Sequence, residues 1–192
     1  MKFFYAILFL QLSLFSSTVS ANEEIVKTDE VTVVFMRSSM VGKFIKASVY
    51  EVTDGGNVFI GILKNKKRLE YKTTAGKHRF MVVSEAADFM EADVEAGKTY
   101  YSIVTPRMGA WKARFSLWPI RNGADGEYQW DSKDIQKRFK KTKLISKSEK
   151  DEAWFQKNKT SVQSKKHKYL AKWKTNAEAD IKARTLNPED GQ

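Results

Sequence analysis

A Gly-Lys-Thr tripeptide at residues 97–99 is the sequence feature that most directly suggests chemistry. The phosphate-binding loop of nucleotide hydrolases ends in this tripeptide, and it requires the pattern G-x-x-x-x-G-K-[ST] between a strand and a helix. In this chain Ala92 occupies the first glycine position, and the β-branched and aromatic run 100–104 follows instead of a helix. Residues 75–77, Ala-Gly-Lys, open a second such run. The two copies predict strand-opening turns, and we expect no nucleotide cofactor.

Histidines, carboxylates and serines offer few other catalytic or metal-binding candidates. The chain has two histidines, His78 and His167, and no cysteine, and neither histidine has carboxylates grouped around it in the sequence. No G-x-S-x-G nucleophile elbow occurs. One acidic run is interpreted as the solvent face of a strand and its turn, with a weak calcium site as the alternative. It comprises Glu85, Asp88, Glu91, Asp93 and Glu95. We therefore expect no catalytic residues, no cofactor and no metal.

The first 21 residues have the parts of a secretory signal peptide. Lys2 precedes an apolar core at 3–15, and the small residues Val19 and Ala21 stand three and one before the expected cleavage point. That core is shorter than the roughly 20 residues that a membrane-spanning helix needs. An exported chain without cysteine has neither disulfides nor a lipoprotein anchor, and it is typical of bacteria. We predict a periplasmic or secreted protein with no transmembrane segment after signal cleavage.

Short β-rich runs separated by turn residues fill the N-terminal half of the chain. Residues 54–57, Asp-Gly-Gly-Asn, tolerate the positive φ angles of a tight hairpin turn. Strands at this spacing, without helices between them, predict an antiparallel β-sandwich at 28–120. The eight runs are 31–37, 46–53, 57–63, 68–73, 78–84, 88–94, 99–106 and 110–118.

Three of these segments resemble a group of small bacterial exported domains of unknown function. They are 57-NVFIGIL-63, 75-AGKHRFMVV-83 and 96-AGKTYYSIV-104. The resemblance covers 31–120, and such domains are similar to prealbumin-like or PEGA-like β-sandwiches, which are often exported and often lipid-anchored. The absence of cysteine departs from the lipid-anchored members. The resemblance therefore implies a sandwich fold and export, and it implies no reaction.

The C-terminal part changes texture after a turn-rich linker at 121–130 and is expected to form a basic helical tail at 131–186. A first helix is predicted at 132–143. A second begins at Ser146 or Ser148, where Ser-Lys-Ser-Glu fits a capping box, and continues to about Arg184. Its apolar residues form one stripe at helical spacing. The stripe comprises Phe155, Val162, Tyr169, Leu170, Trp173, Ala177 and Ile181.

This tail concentrates the basic charge of a chain whose formal net charge is +11. Residues 133–174 contain 15 Lys and Arg against 4 Asp and Glu. Two interpretations follow: either the stripe packs against the sandwich or another chain while the lysines are solvated, or the basic face with its tryptophans binds an anionic surface. The candidate contact residues are Lys137, Lys140, Lys141, Lys165, Lys166, Lys168, Lys172, Trp154 and Trp173.

The sequence thus predicts a non-catalytic exported module whose basic tail docks onto an envelope protein or an anionic membrane surface. Lysine, rather than arginine, favours diffuse attraction over bidentate phosphate recognition. Export argues against nucleic acid as the physiological partner. Two alternatives stay open: a hydrolase or other enzyme whose polar residues converge only in the fold, and a structural protein that self-associates through its helix.

Overall fold

The computed structural model of the chain describes residues 29–107, 114–123 and 126–192. The predicted signal peptide lies outside these residues, as does the start of the last predicted strand, at 110–113. Each of the eight β-rich runs forms a strand, within a few residues of its predicted bounds. These strands are β1 (Glu30–Arg37), β2 (Ala47–Thr53), β3 (Gly56–Leu63), β4 (Lys67–Thr74), β5 (Gly76–Val83), β6 (Ala87–Val94), β7 (Thr99–Arg107) and β8 (Arg114–Pro119).

The chain forms two packed five-stranded sheets, and the tail contributes one short strand to each of them. These additions are β9 (Lys143–Ile145) and β10 (Thr185–Leu186). Sheet A has the order β8-β7-β1-β4-β9, and sheet B has the order β10-β6-β5-β2-β3. The predicted mainly β fold with a C-terminal helix is confirmed at this level. The finer division into a sandwich, a linker and a tail remains a prediction.

The sheets are mixed, so the prediction of purely antiparallel sheets is wrong. β1 pairs with β4 antiparallel but with β7 parallel, and both tail strands run parallel to their neighbours, β4 and β6. Alternation of apolar and polar residues has the same period of two in parallel and antiparallel strands. The sequence pattern therefore identifies which face of a strand is buried, and it carries no information about strand direction.

Turns of the predicted kind open β5 and β7. Gly97 has φ +78° and Gly76 has φ +118°, both in the region that favours glycine. β7 begins two residues after Gly97, as its sequence predicts. The Gly-Lys-Thr tripeptide therefore lies at a turn into a strand, and the structure has no helix N-terminus there to hold a phosphate.

The principal core lies between the two sheets. Phe35 of β1 meets Phe80 of β5 edge to face, with ring centroids 5.1 Å apart. Both rings are fully buried, together with Val33, Val49 and Tyr100. Burial of apolar surface of this kind supplies most of the favourable free energy of folding.

In the described residues after β8 the chain forms three α-helices, α1 (Lys133–Lys140), α2 (Glu149–Trp173) and α3 (Glu178–Ala183), and a short 3-10 helix at Pro188–Asp190. Ser148 caps α2, as one of the two predicted starts requires, but its capping-box partner is Asp151 and not Glu149. The predicted continuous helix to Arg184 is wrong. The chain leaves the helix after Trp173 and becomes extended at Ala177, which allows the residues after α3 to return to sheet B as β10.

Helix α2 covers the outer face of sheet B. Phe155 stacks on Phe59 of β3, with ring centroids 4.8 Å apart, and contacts Tyr50 of β2 at 5.8 Å. Trp173 packs against Phe89 of β6 at 6.1 Å. The interpretation in which the apolar stripe packs on the sandwich is confirmed for the part of the stripe on α2, since Phe155, Val162 and Trp173 are buried there, whereas Ala177 is exposed between α2 and α3. In the described part of the chain, no helix combines the length and the apolar character needed to span a bilayer.

Candidate anion-binding surfaces

The structure separates the nine predicted contact residues by exposure. Five lysines are exposed and carry their charge at the surface: Lys137, Lys140, Lys141, Lys168 and Lys172. The other four are wholly or partly covered by the sandwich: Lys165, Lys166, Trp154 and Trp173. Only the first group is positioned to meet a large external surface without rearrangement.

Trp173 is 5% exposed and serves to attach α2 to sheet B. Its indole Nε1 donates a hydrogen bond to Glu91 Oε1 at 2.8 Å, and the same carboxylate oxygen accepts from Arg79 Nε at 2.7 Å. The guanidinium of Arg184 lies 5.4 Å from the indole ring. Trp173 therefore does not offer its ring to a membrane in this structure.

Lys165 and Lys166 lie on the side of α2 that faces the sandwich. Lys165 Nζ donates to the Ser84 carbonyl at 2.6 Å, and Lys166 is 8% exposed. Trp154 is half-buried beside the cluster of side chains between α2 and sheet B. These residues contribute to packing of the helix, because long lysine stems can lie along apolar surface while the ammonium reaches a polar partner.

Lysines from three segments that are distant along the chain meet at one end of the molecule. They include the predicted residues Lys140, at the end of α1, and Lys141. Arg37, the last residue of β1, is in register with Lys67, which is in turn in register with Lys143 of β9. Lys143 N also donates to the Lys66 carbonyl at 3.1 Å. We call the following seven lysines the lysine rim: Lys43, Lys64, Lys66, Lys67, Lys140, Lys141 and Lys143.

The lysine rim has little internal compensation of its charge. Segments 38–46, 64–67 and 140–143 contain no aspartate or glutamate. Among the described residues, no ion pair within 4.0 Å involves a rim lysine. Clustered charges of one sign raise the local potential and attract counter-ions or anionic surfaces. The sequence prediction found Lys140 and Lys141 but missed Lys143 beside them and four lysines that are distant along the chain.

A buried ion pair fixes the far end of the tail to the sandwich. Arg184 Nη2 donates to Asp88 Oδ2, and both side chains are at most 10% exposed. The guanidinium also donates to the carbonyls of Leu117 at 2.6 Å and Phe89 at 3.0 Å, and it lies 4.3 Å from the ring of Trp118. Pairing with a carboxylate and two carbonyls offsets the cost of burying this cation.

A cavity of about 110 Å³ lies beside this ion pair, between strands β7 and β8 on one side and α2 on the other. Arg107, Arg114 and Lys172 line it, against the single carboxylate of Asp88. Arg107 Nη2 is 3.4 Å from the Asp88 oxygen that does not face Arg184. The cavity is therefore net positive, and it is the place where the predicted residue Lys172 meets two arginines that the sequence did not single out.

The expectation that the acidic run is a solvent face of a strand and its turn holds at its two ends, Glu85 and Glu95, which are exposed, and is wrong for Asp88 and Glu91. Asp88 is 6% exposed, and Glu91 is bonded to Arg79 and Trp173. The reason is that Trp173 of α2 covers Glu91, whereas Asp88 is held by Arg184, which follows α3, and by the Leu117 amide of β8. Asp88 and Glu85 line separate cavities, so these two candidates for a catalytic site do not converge.

His78 forms a hydrogen-bonded group between the sheets, at the end of the sandwich opposite the lysine rim. Its Nδ1 is 2.5 Å from Glu51 Oε1, its Nε2 is 2.9 Å from the Thr74 carbonyl, and Tyr71 donates to the second Glu51 oxygen at 2.6 Å. Hydrogen bonding to Glu51 raises the pKa of His78, and the same bond lowers the pKa of Glu51. Burial raises the pKa of the Tyr71 hydroxyl, and the bond to Glu51 adds to this.

This arrangement favours a structural role over catalysis. Both ring nitrogens of His78 have acceptors within hydrogen-bond distance, so the imidazolium form satisfies both. Its side chain is 10% exposed, as is that of Glu51. Among the residues that the structure describes, no group of three His, Asp or Glu side chains is placed to hold a metal ion.

Comparison with known proteins does not identify a family for this chain. No protein-family model matches the chain, and no curated protein is significantly similar to it. The resemblance to small exported β-sandwich domains stays a prediction, and the function must be argued from the surfaces described above.

Proposed function

We propose that this protein is a non-catalytic binding module of the bacterial envelope or the secreted fraction, and that its basic surface docks onto an anionic surface. The observation that carries this proposal is the lysine rim. Seven lysines from three segments of the chain lie at one end of a folded scaffold, without acidic partners in their own segments. The signal-like residues 1–21 support export.

Lysines suit this role because they attract anions without fixed geometry. Each ammonium is a compact, hydrated charge on a flexible stem, and it does not impose the planar two-bond contact of a guanidinium. Near an anionic membrane each lysine contributes about 1 kcal/mol of attraction. A rim of this size therefore supports reversible binding to a charged surface, and it requires no pocket.

The hydrogen-bonded state of the polar residues supports a non-catalytic role. His78, Glu51, Asp88 and Glu91 each have hydrogen-bond or ion-pair partners that connect sheets or attach the tail. An enzyme needs a general base or nucleophile whose reactive atom is directed into a substrate cavity. The four residues instead hold elements of the fold together.

Binding of the mature chain to vesicles containing anionic phospholipid tests the proposal, with vesicles of zwitterionic lipid alone for comparison. We expect binding to anionic vesicles that weakens from about 0.1 M to about 1 M salt, as the Debye length falls from about 10 to about 3 Å. The double reversal Lys140→Glu with Lys141→Glu should weaken it at least about tenfold.

The matched control reverses the same number of charges on α2, with Lys168→Glu and Lys172→Glu. These lysines are exposed but lie outside the lysine rim, so a smaller loss is expected. Salt-insensitive binding, or equal losses from the two double variants, would contradict the proposal that the rim is the contact.

A further inference from the structure

The loop that precedes β2 exposes an unusual amount of apolar surface. Met40 is 90% exposed, Phe44 89%, Val41 54% and Ile45 37%. In the described part of the chain, six large apolar side chains are exposed, and these are four of them. Folded proteins seldom leave a contiguous apolar patch in water unless it contacts a partner or a membrane.

The loop is held in a defined shape by Arg37, which is fully buried beneath it. Its guanidinium donates to the carbonyls of Ile45 at 2.6 Å, Gly42 at 2.5 Å and Leu63 at 3.3 Å. Gly42 has φ +66°, and its carbonyl also accepts from Ile45 N at 2.9 Å. The apolar side chains are therefore presented by a fixed turn rather than by a free segment.

Arg37 also places positive charge directly under this loop. Burial lowers the pKa of its guanidinium to about 10, which leaves it protonated at neutral pH. Among the described residues it forms no ion pair within 4.0 Å, and the ring of Phe115 lies 4.1 Å from its central carbon. A fixed buried cation adds to the potential of the surface above it.

The lysine rim borders the exposed loop on two sides and includes one residue of the loop itself. Ser39 N donates to Asn65 Oδ1 at 2.9 Å, which joins the loop to the turn that carries Lys64 and Lys66. Arg138 of α1 donates to the Ser38 carbonyl at 3.0 Å, which joins it to the helix that ends at Lys140. Within the loop itself, Lys43 Nζ lies 4.9 Å from the Phe44 ring centroid. An apolar tip is thus bordered by cations on two sides.

We propose that residues 38–46 form a membrane-insertion loop, in which the lysine rim attracts anionic phospholipid headgroups and the four exposed apolar side chains enter the boundary between headgroups and acyl chains. The inference rests on the proposed function, because the same rim supplies the attraction. It adds the identity of the surface, a lipid bilayer, and the residues that penetrate it.

A bilayer fits this surface better than a second copy of the chain does. In a symmetric dimer the same patch meets itself, so two lysine rims would face each other and repel. An anionic bilayer instead supplies the opposite charge, and its acyl region accepts apolar side chains of any shape. The loop is a projecting turn, and such a form can enter a bilayer without a matching groove.

The test compares the mature wild-type chain with the double variant Met40→Ser and Phe44→Ser on anionic vesicles. The variant keeps every charge, so its salt dependence should remain while its partitioning falls at least tenfold, because burial of each side chain is lost. Val58→Ser is the matched control, since Val58 is 42% exposed on β3 and lies outside the loop. It should partition like the wild type.

Penetration is measured directly with a dye at a single cysteine, which the chain otherwise lacks. A polarity-sensitive dye on Phe44→Cys should shift to the blue on anionic vesicles, whereas the same dye on Lys168→Cys should not. Unchanged partitioning of the double serine variant, or no shift at position 44, overturns the insertion while leaving charge-driven binding intact. Absence of binding by the wild type overturns both proposals.

Two further measurements keep these outcomes interpretable. The urea unfolding midpoint of the double serine variant should match the wild type, because Met40 and Phe44 are almost fully exposed. Sedimentation velocity without lipid should show no change of mass between wild type and the double serine variant. A dimer that the double variant dissociates would overturn the membrane assignment in favour of self-association.

Discussion

The loop at 38–46 and helix α2 both combine lysines with aromatic residues, yet the aromatic rings are buried or half-buried in α2 and exposed in the loop. Phe155 of α2 is 8% exposed against sheet B, whereas Phe44 of the loop is 89% exposed. Sheet B presents an apolar outer face that includes Tyr50 and Phe59, and a helix with an apolar stripe can cover it. The loop projects from the end of the sandwich, where no such face is available.

The difference teaches that mixed basic and aromatic composition does not identify a binding surface. In α2 the aromatic residues stabilise the fold, and its exposed lysines lie on a helix whose apolar residues already have partners. In the loop the apolar residues have no partner within the described chain that buries them, while lysines border them. Exposure of the apolar residues, more than the number of lysines, distinguishes the two regions.

The largest expected effect comes from breaking the attachment of the tail at Arg184. Arg184→Met removes the bonds to Asp88 and to the carbonyls of Leu117 and Phe89, and it leaves a buried carboxylate that Arg107 compensates only in part. We expect a loss of about 4 kcal/mol in the free energy of unfolding, measured by urea denaturation. Membrane binding of the fraction that remains folded should be unchanged.

The control for this variant is Lys182→Met, which removes an exposed side chain from α3, the helix that Arg184 follows. Its unfolding free energy should lie within about 0.5 kcal/mol of the wild type. If the two methionine variants were equally stable, the Asp88–Arg184 pair would not attach the tail, and the proposed contrast between the regions would lose its structural basis.

A matched pair of phenylalanines compares the two regions directly. Phe155→Ala should cost about 3 kcal/mol of stability, because it removes a ring stacked on Phe59 and leaves a cavity. Phe44→Ala should change stability by less than about 0.5 kcal/mol, since its ring is exposed. Urea unfolding of both variants provides the comparison.

The same two variants should have the reverse order of effect on vesicle binding. Phe44→Ala should weaken partitioning into anionic vesicles, whereas Phe155→Ala should preserve it under conditions where the variant is folded. Equal stability losses would show that the two rings do not differ in packing. Binding that depends on Phe155 and not on Phe44 would show that the ring assigned to packing makes the membrane contact.

The sequence was informative wherever the signal is local. The eight β-rich runs and the glycine turns depend on residues close together in the chain, and each is found where the pattern predicts it. The helix start is found at one of its two predicted positions, Ser148, but with Asp151 in place of Glu149 in the capping box. Strands β9 and β10 have three and two residues, too few to show alternation. The helix α2 ends after Trp173, and the following chain turns back so that Arg184 binds Asp88. The spacing of apolar residues along a helix contains no signal for that distant contact.

The candidate site could be predicted only in part for the same reason. Lys140, Lys141 and Lys143 stand in one basic run, but the other four lysines of the lysine rim come from segments brought together by sheet register and loop contacts. The heptapeptide 40-MVGKFIK-46 does carry a signal, because apolar residues alternate with lysines and glycine in the absence of acid. Sequence alone does not show that these apolar residues stay outside the core, since comparable residues in α2 are buried.

The smallest expected effect concerns the two histidines, of which His78 lies between the sheets and His167 at the surface of α2. Because the pKa of His78 is raised above 6.5 by Glu51, its protonation stabilises the fold fully below pH 6.5, and the contribution is lost as pH rises through the raised pKa. Because the pKa of Glu51 is lowered from 4.5, its contribution is present above pH 4.5 and is lost as pH falls through the lowered value.

The stabilisation by this pair should therefore be greatest between pH 4.5 and 6.5, and a charge-assisted bond of this kind contributes about 2 kcal/mol. His78→Gln should remove most of the decline in unfolding free energy between pH 6.5 and the raised pKa, as measured by urea denaturation across pH.

His167→Gln is the matched control, because His167 is exposed on α2, and it should retain the wild-type pH profile. Vesicle binding should be the same for both variants, since His78 lies at the end of the sandwich opposite the lysine rim. A profile that His167→Gln flattens and His78→Gln does not would show that the pH dependence arises at the helix surface and not between the sheets.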